Sequence, residues 1–140
     1  MLERMRVIFK RYPLSFTVLI TIVYLSFFKP PKTLFDDVNN FDKLVHFVMY
    51  FGFCLILWLE YFLTHTKIST AKIIWGAIFA PIAFSGFVEL GQEYLTAHRG
   101  GDWLDFFFNS LGVVGAALFS VCVTRPVVAK YNLWNKRNKN

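Results

Sequence analysis

Three groups of polar side chains interrupt the apolar stretches of this 140-residue chain, and their types and spacing are those of a chemical site. Asp42, Lys43, His46 and Tyr50 open one stretch, with Asp42, His46 and Tyr50 spaced i, i+4, i+8. That spacing puts the three on one face of a helix. Glu89, Gln92 and Glu93 close a second stretch at i, i+3, i+4, and Asp102, Asp105 and Asn109 open a third at i, i+3, i+7. The loop between the last two supplies His98 and Arg99. Carboxylates and imidazole together can move protons, carboxylates can hold a divalent cation, and a guanidinium can grip phosphate or carboxylate in two-pronged fashion. His46, Glu89 and Asp105 are therefore candidate acid–base groups, and Asp42, Lys43, His46, Tyr50, Glu89, Gln92, Arg99, Asp102, Asp105 and Asn109 form a candidate binding set.

Depth strengthens the case. At 1.5 Å per residue, Glu89 lies ~9 Å inside the end of its helix near Leu95, and Asn109 lies ~9 Å inside the start of its helix at Trp103. His46 is only ~3 Å in from Leu44. An ionised side chain at the centre of a membrane helix costs about 2.5–3.5 kcal/mol, so each such group needs a partner or a water-filled recess. Glu89 and Asn109 are expected to share a level, with His46 and Asp105 above them and Arg99 bridging the carboxylates. The alternatives are local. Asp42 and Asp102 can act as helix caps, Lys43 can snorkel to the interface, and Asn109 can be interhelical glue.

The elements that must hold these groups follow from composition. The chain is 56% apolar, with 17 Phe and 17% charged residues, against roughly 45–50% apolar in an ordinary soluble domain. Stretches 12–28, 44–63, 73–95 and 103–124 are nearly free of charge and about long enough for a ~30 Å hydrocarbon layer. A soluble enzyme, a secreted disulfide scaffold and a DNA-binding domain are excluded on that ground. The expected fold is all-α, a four-helix transmembrane bundle with helices over about 12–28, 43–63, 72–95 and 103–125, a basic interfacial segment over 1–12 and a basic tail over 126–140. The basic start resembles a signal peptide, but Phe27-Phe28-Lys29-Pro30-Pro31 is no cleavage site, so an uncleaved first helix is expected. Pro30-Pro31 ends the first helix, Gly100-Gly101 separates the last two, and Pro81 is expected to kink the third. Gly112, Gly115, Ala116 and Ala117 let helix backbones approach in the fourth.

The net charge of +6 comes mostly from the chain ends. No basic stripe interleaved with aromatics is present, so nucleic acid is not a partner. Residues 1–11, 64–72 and 125–140 hold eleven of the fifteen Lys and Arg, and residues 29–43 and 96–102 hold four. The positive-inside rule then places both termini in the cytoplasm and the polar groups on the outer side. Membrane lipids are the expected surroundings. Glu60, at the other end, is expected to pair with Lys67 or Lys72. Cys54 and Cys122 read as small core residues at different depths, and Trp58, Trp75, Trp103 and Trp134 as an aromatic belt. Nothing in the sequence sets an oligomeric state.

The ordered set Asp42-Lys43-x-x-His46-x-x-x-Tyr50, Glu89-x-x-Gln92, Arg99 and Asp102-x-x-Asp105-x-x-x-Asn109-x-x-Gly112 resembles the VanZ-like family over roughly residues 40–117. The resemblance implies a small bacterial multi-pass protein of the inner membrane and cell envelope, in a family named for a member linked to teicoplanin resistance. It also implies that Asp42, Lys43, His46, Glu89, Gln92, Arg99, Asp105 and Asn109 are its signature polar positions.

Three functional readings follow, beside a purely structural one in which the cluster only pins helices together. In the first, an outward pocket binds the head group of a lipid or peptidoglycan precursor, or a glycopeptide. In the second, His46, Glu89 and Asp105 catalyse a reaction on a lipid-linked substrate, with or without a divalent cation held by carboxylates. No residue spacing marks a metal site or cofactor outside that reading, and no nucleophile motif stands beside the cluster. The third, an ion- or proton-coupled transporter, has the weakest basis, because apart from Glu60 the inner half holds no acidic residue of the relay it would need.

Overall fold

The computed structural model describes residues 2–28, 41–65, 68–95 and 101–138, and all regular structure among them is helical. Helix α1 (Leu2–Arg11) leads into α2 (Pro13–Phe27). The break between them is Tyr12, at φ −130°, ψ 49°, since the residue before a proline is pushed out of the α region. Pro13 then starts α2, where its missing N–H costs nothing. Helix α3 is Phe41–Thr64. Helix α4 covers residues 70–95, and α5 is Trp103–Arg137.

Both long C-terminal helices contain a wide turn. Residues Ile74–Phe79 of α4 and Ser120–Thr124 of α5 are π-helical. Each segment stands just ahead of a proline, Pro81 or Pro126. A proline offers no N–H to the carbonyl four residues back and crowds it. Shifting the bonds to i+5 spacing, as in Ala80 N–H to the Trp75 carbonyl and Arg125 N–H to the Ser120 carbonyl, absorbs that defect. The irregularity expected at Pro81 thus takes the form of a π segment. The helix expected to stop near residue 125 runs on to Arg137, so the basic tail is largely its last turns.

Among the described residues, three helices are long and apolar enough to cross a membrane: Phe41–Thr64, Ile74–Leu95 and Trp103–Arg137. Helix α2 is apolar but has 15 residues, about 22 Å at 1.5 Å per residue. It is shorter than the expected first span.

Helix α3 is the hub, packed along α5 and flanked by α2, while α4 packs on α5. The core joins Ile22 of α2, Tyr50, Phe53, Cys54, Trp58, Tyr61 and Phe62 of α3, Ala77 of α4, and Val113, Ala116, Ala117 and Val128 of α5. Gly112 sets the α3–α5 spacing, because a Cβ there would stand 2.5 Å from the Phe47 carbonyl oxygen. Two expectations are corrected here. Trp58 is 1% exposed and belongs to the core, not to an aromatic belt, whereas Trp75, Trp103 and Trp134 are exposed. Cys122 is exposed, not a core residue, while Cys54 is buried.

Candidate functional site

The start of α3, the end of α4 and the start of α5 bring one polar cluster together. On α3 the buried stripe is Lys43, His46 and Tyr50, spaced i, i+3, i+7. Asp42, expected on that stripe, is exposed beside it. Its carboxylate still reaches the Lys43 ammonium at 2.8 Å. Lys43 does not snorkel: its Nζ also meets Asp102 Oδ2 at 2.5 Å and Asp105 Oδ1 at 2.7 Å. One ammonium, with three donors, thus ties the first turn of α3 to the first turn of α5. Bridging had been assigned to Arg99, which with His98 lies outside the described residues. Lys43 belongs to the expected binding set, and its role as the bridge is what the packing adds.

Asp102 caps α5, its Oδ1 accepting from the Leu104 N–H at 2.8 Å. The Lys43 ammonium, and after it that N–H, hold its carboxyl below the ordinary 3.8. Asp105 is the acidic residue of the first turn, where the helix dipole favours it.

Deeper in, His46 is 4% exposed, Glu89 6% and Asn109 1%. His46 Nδ1 stands 3.1 Å from Asn109 Oδ1 and 3.9 Å from Glu89 Oε1, and its Nε2 stands 3.3 Å from Asp105 Oδ2. The Asn109 amide donates to Glu89 Oε1 at 3.3 Å, and the Asp102 N–H donates to Glu89 Oε2 at 3.3 Å. Glu89 and Asn109 do meet at one level. His46 lies closer to Asp105 than to Glu89.

The remaining members of the predicted set do other things. Gln92 is buried and donates to the Ser26 carbonyl at 2.8 Å, tying α4 to α2. Glu93 is exposed and accepts from the Gly101 N–H at 2.8 Å. Gly101 must be small, since a Cβ there would lie 2.6 Å from the Glu89 carbonyl oxygen. Tyr50 is 1% exposed, and its hydroxyl has no hydrogen-bond partner.

Beside the cluster is a recess of about 270 Å³, lined by Glu89, Glu93 and Asp102 together with Leu90, Trp103 and Phe106. Tyr94 and Trp103, 81% and 77% exposed, stand at its rim. Acidic and aromatic side chains thus line one recess.

A family model described as VanZ/LLP1 matches residues 4–124, most of the chain and the whole of this cluster. The chain belongs to the VanZ/LLP1 family. Neither the curated proteins nor the solved structures gave a match. As a VanZ/LLP1 member with three helices of membrane-spanning length, it is an all-α membrane protein of that family. The match extends past the polar region to α1 and α2, so the family pattern includes the N-terminal helices as well as the site.

Glu60, at the opposite end of α3, was missed as a structural centre. Its Oε1 accepts from the Leu14 N–H at 2.9 Å, and its Oε2 accepts from the Ser15 N–H at 3.0 Å and the Ser15 hydroxyl at 2.5 Å. It caps α2 from another helix, where Tyr12 provides no side-chain cap. The side chains of Lys67 and Lys72, its expected partners, lie outside the described residues. The signal was present in the sequence: Tyr12-Pro13 starts a helix with no Ser, Thr, Asp or Asn at the capping position.

Proposed function

We propose that this membrane protein binds the polar head group of an envelope lipid or of a lipid-linked cell-wall precursor, in the recess beside Glu89 and Asp102. The supporting observation is the lining of that recess, which joins the acidic residues Glu89, Glu93 and Asp102 to exposed Trp103 and Tyr94. Aromatic side chains of this kind settle at the level of lipid head groups. A ligand whose tail stays in the bilayer would present its head group at this depth. The proposed orientation has the recess on the outer side, from the excess of basic residues at the other ends of the helices.

Filling the recess tests the reading without touching the ionic cluster. Gly86 lines it, and a Cβ there meets only the Phe106 ring, at 3.4 Å. Purified protein in detergent should be stabilised against heat by a polyprenyl phosphate more than by the matching polyprenol. Gly86→Leu should abolish the difference, and Gly52→Ala, in open space on α3, should preserve it. Equal stabilisation by both lipids in the unaltered protein would sink the head-group reading.

One observation favours a second reading, catalysis on a lipid-linked substrate. His46 lies between the carboxylate of Asp105 and the Asn109–Glu89 pair, an arrangement suited to proton transfer. Release of phosphate from a polyprenyl pyrophosphate, lost in His46→Gln, would support it. The transport reading draws the least support, since the carboxylate toward the other end, Glu60, is committed to capping α2.

A further inference from the structure

We propose that His46, Glu89 and Asp105 hold one first-row divalent cation, Zn²⁺ or Mn²⁺, between α3, α4 and α5. All three are buried, and each offers a ligand atom lying within 4.8 Å of the other two.

The hydrogen bonds around His46 orient its lone pair. The Asn109 amide nitrogen donates to Glu89, so its oxygen is the atom facing His46 Nδ1. That oxygen is only an acceptor. In the neutral ring this puts the hydrogen on His46 Nδ1, so that Nε2 is the ligating nitrogen and faces Asp105 Oδ2, 3.3 Å away. Two lone pairs facing each other repel unless a cation or a proton lies between them. Two ligands about 2.1 Å from one ion and 3.3 Å apart subtend about 105°, close to the tetrahedral angle.

The surrounding groups are those that tune a metal site. Asp105 gives Oδ1 to the Lys43 ammonium and keeps Oδ2 for the ion. Asn109 fixes the imidazole tautomer from the far side, as outer partners of ligating histidines do. A second, independent observation is Tyr50. One turn beyond His46 on the same stripe, it is 1% exposed, and its hydroxyl has no hydrogen-bond partner among the described residues. A buried donor of that kind suits a water or ligand oxygen on the ion. The nitrogen ligand favours a first-row metal over Mg²⁺ or Ca²⁺. The ion would also give the acidic recess a positive centre to meet a phosphate, and that consequence alone rests on the head-group reading.

The test is a titration of the full chain in detergent, stripped with chelator, with Zn²⁺ and with Mn²⁺. One ion should bind per chain, at least tenfold more weakly in His46→Gln, Glu89→Gln and Asp105→Asn, and with unchanged affinity in Glu3→Gln, at an exposed residue of α1. Binding far below one ion per chain, or equal affinity in all four variants, overturns the proposal. Loss of fold in a variant leaves the unaltered protein to decide: bound Co²⁺ should give visible absorption bands that Zn²⁺ displaces at one equivalent, and their absence overturns the proposal equally. Polyprenyl phosphate added with and without the ion separates the two claims. Ion binding without a lipid effect keeps the metal site and removes the head-group function.

Discussion

At one end of α3, Glu60 spends both carboxylate oxygens on the backbone N–H groups that begin α2, with the Ser15 hydroxyl beside them. At the other end, Asp105 divides its oxygens between Lys43 and His46, and Glu89 takes a side-chain amide and one backbone N–H. Each end buries carboxylates in a chain that is otherwise apolar. The difference is in what answers them. Backbone N–H groups at a helix start are fixed by the helix itself and have nothing else to bond. Lysine, histidine and asparagine side chains can rotate, exchange protons or accept a ligand. A carboxylate answered by backbone is structural, and one answered by side chains keeps chemical capacity. The apolar cavity near Glu60, about 310 Å³ and lined by Tyr12, Leu19, Phe53 and Ala77 among others, has no carboxylate among its described lining residues.

The sharpest way to break the comparison is to remove Lys43. Its side chain is 10% exposed and answers Asp42, Asp102 and Asp105 at once. Lys43→Met leaves three carboxylates together at the junction of α3 and α5. Removing one partner of a buried charge group costs about 3–5 kcal/mol. Thermal melting in detergent should show the largest loss of any single substitution at the polar end. A change near zero would mean that another cation carries the cluster.

Glu60→Gln is the matching experiment at the other end. The amide oxygen can still accept one backbone N–H, but the second bond and the charge opposite the α2 dipole are lost. Hydrogen bonds to a charged group are worth about 1.5–3 kcal/mol each, so the expected loss is about 2 kcal/mol, smaller than for Lys43→Met. Ser15→Ala alone should cost about 1 kcal/mol. If Ser15→Ala added its full cost on top of Glu60→Gln, the two would not form one unit, and the capping account would fail.

Much of this contrast could be read before any coordinates. Three of the four expected helices coincide with helices of spanning length, because long runs free of charge leave the backbone little alternative. The meeting of Glu89, Asn109, His46 and Asp105 followed from spacing and depth, since polar groups at one level on antiparallel helices have few other partners. Three things were not legible. Lys43 and Asp42 are neighbours in sequence, and which one faces inward depends on the rotation of α3, a packing property. The partner of Glu60 lies 45 residues away and is backbone, which no side-chain pattern reveals. Trp58 looked like an interfacial tryptophan from its place near a helix end, but α3 is the central helix and its late turns are still enclosed.

Asp102 offers a smaller and pH-dependent test. The Lys43 ammonium and the Leu104 N–H hold its carboxyl below 3.8. A folded-state value below the unfolded one means the stabilisation is complete above about pH 4 and fades as the pH drops through the folded value. Its side chain is 42% exposed, so the charge contributes less than about 1 kcal/mol. Asp102→Asn keeps an oxygen for the Leu104 N–H and removes the charge. The gap in melting temperature between the two proteins should be present at pH 7 and narrow by pH 3. A gap that widened in acid would reverse the sign and show that Asp102 is not held as the charged form.

Tyr50→Phe should have the least effect on stability and the most to say about the site. A hydroxyl with no partner contributes no hydrogen bond in the folded state, while its burial has cost it the bonds it would make with water. Replacing it by hydrogen should leave the melting temperature unchanged or slightly raised, within about 0.5 kcal/mol. The same substitution should weaken whatever ligand the cluster takes, because a buried donor with no partner among the described residues, one turn beyond His46, is then gone. No such split is expected for Ser15→Ala at the Glu60 end, where stability alone should fall. A destabilisation above 1 kcal/mol in Tyr50→Phe would mean that the hydroxyl already spends its bond within the fold, and the polar end would then be as closed as the other.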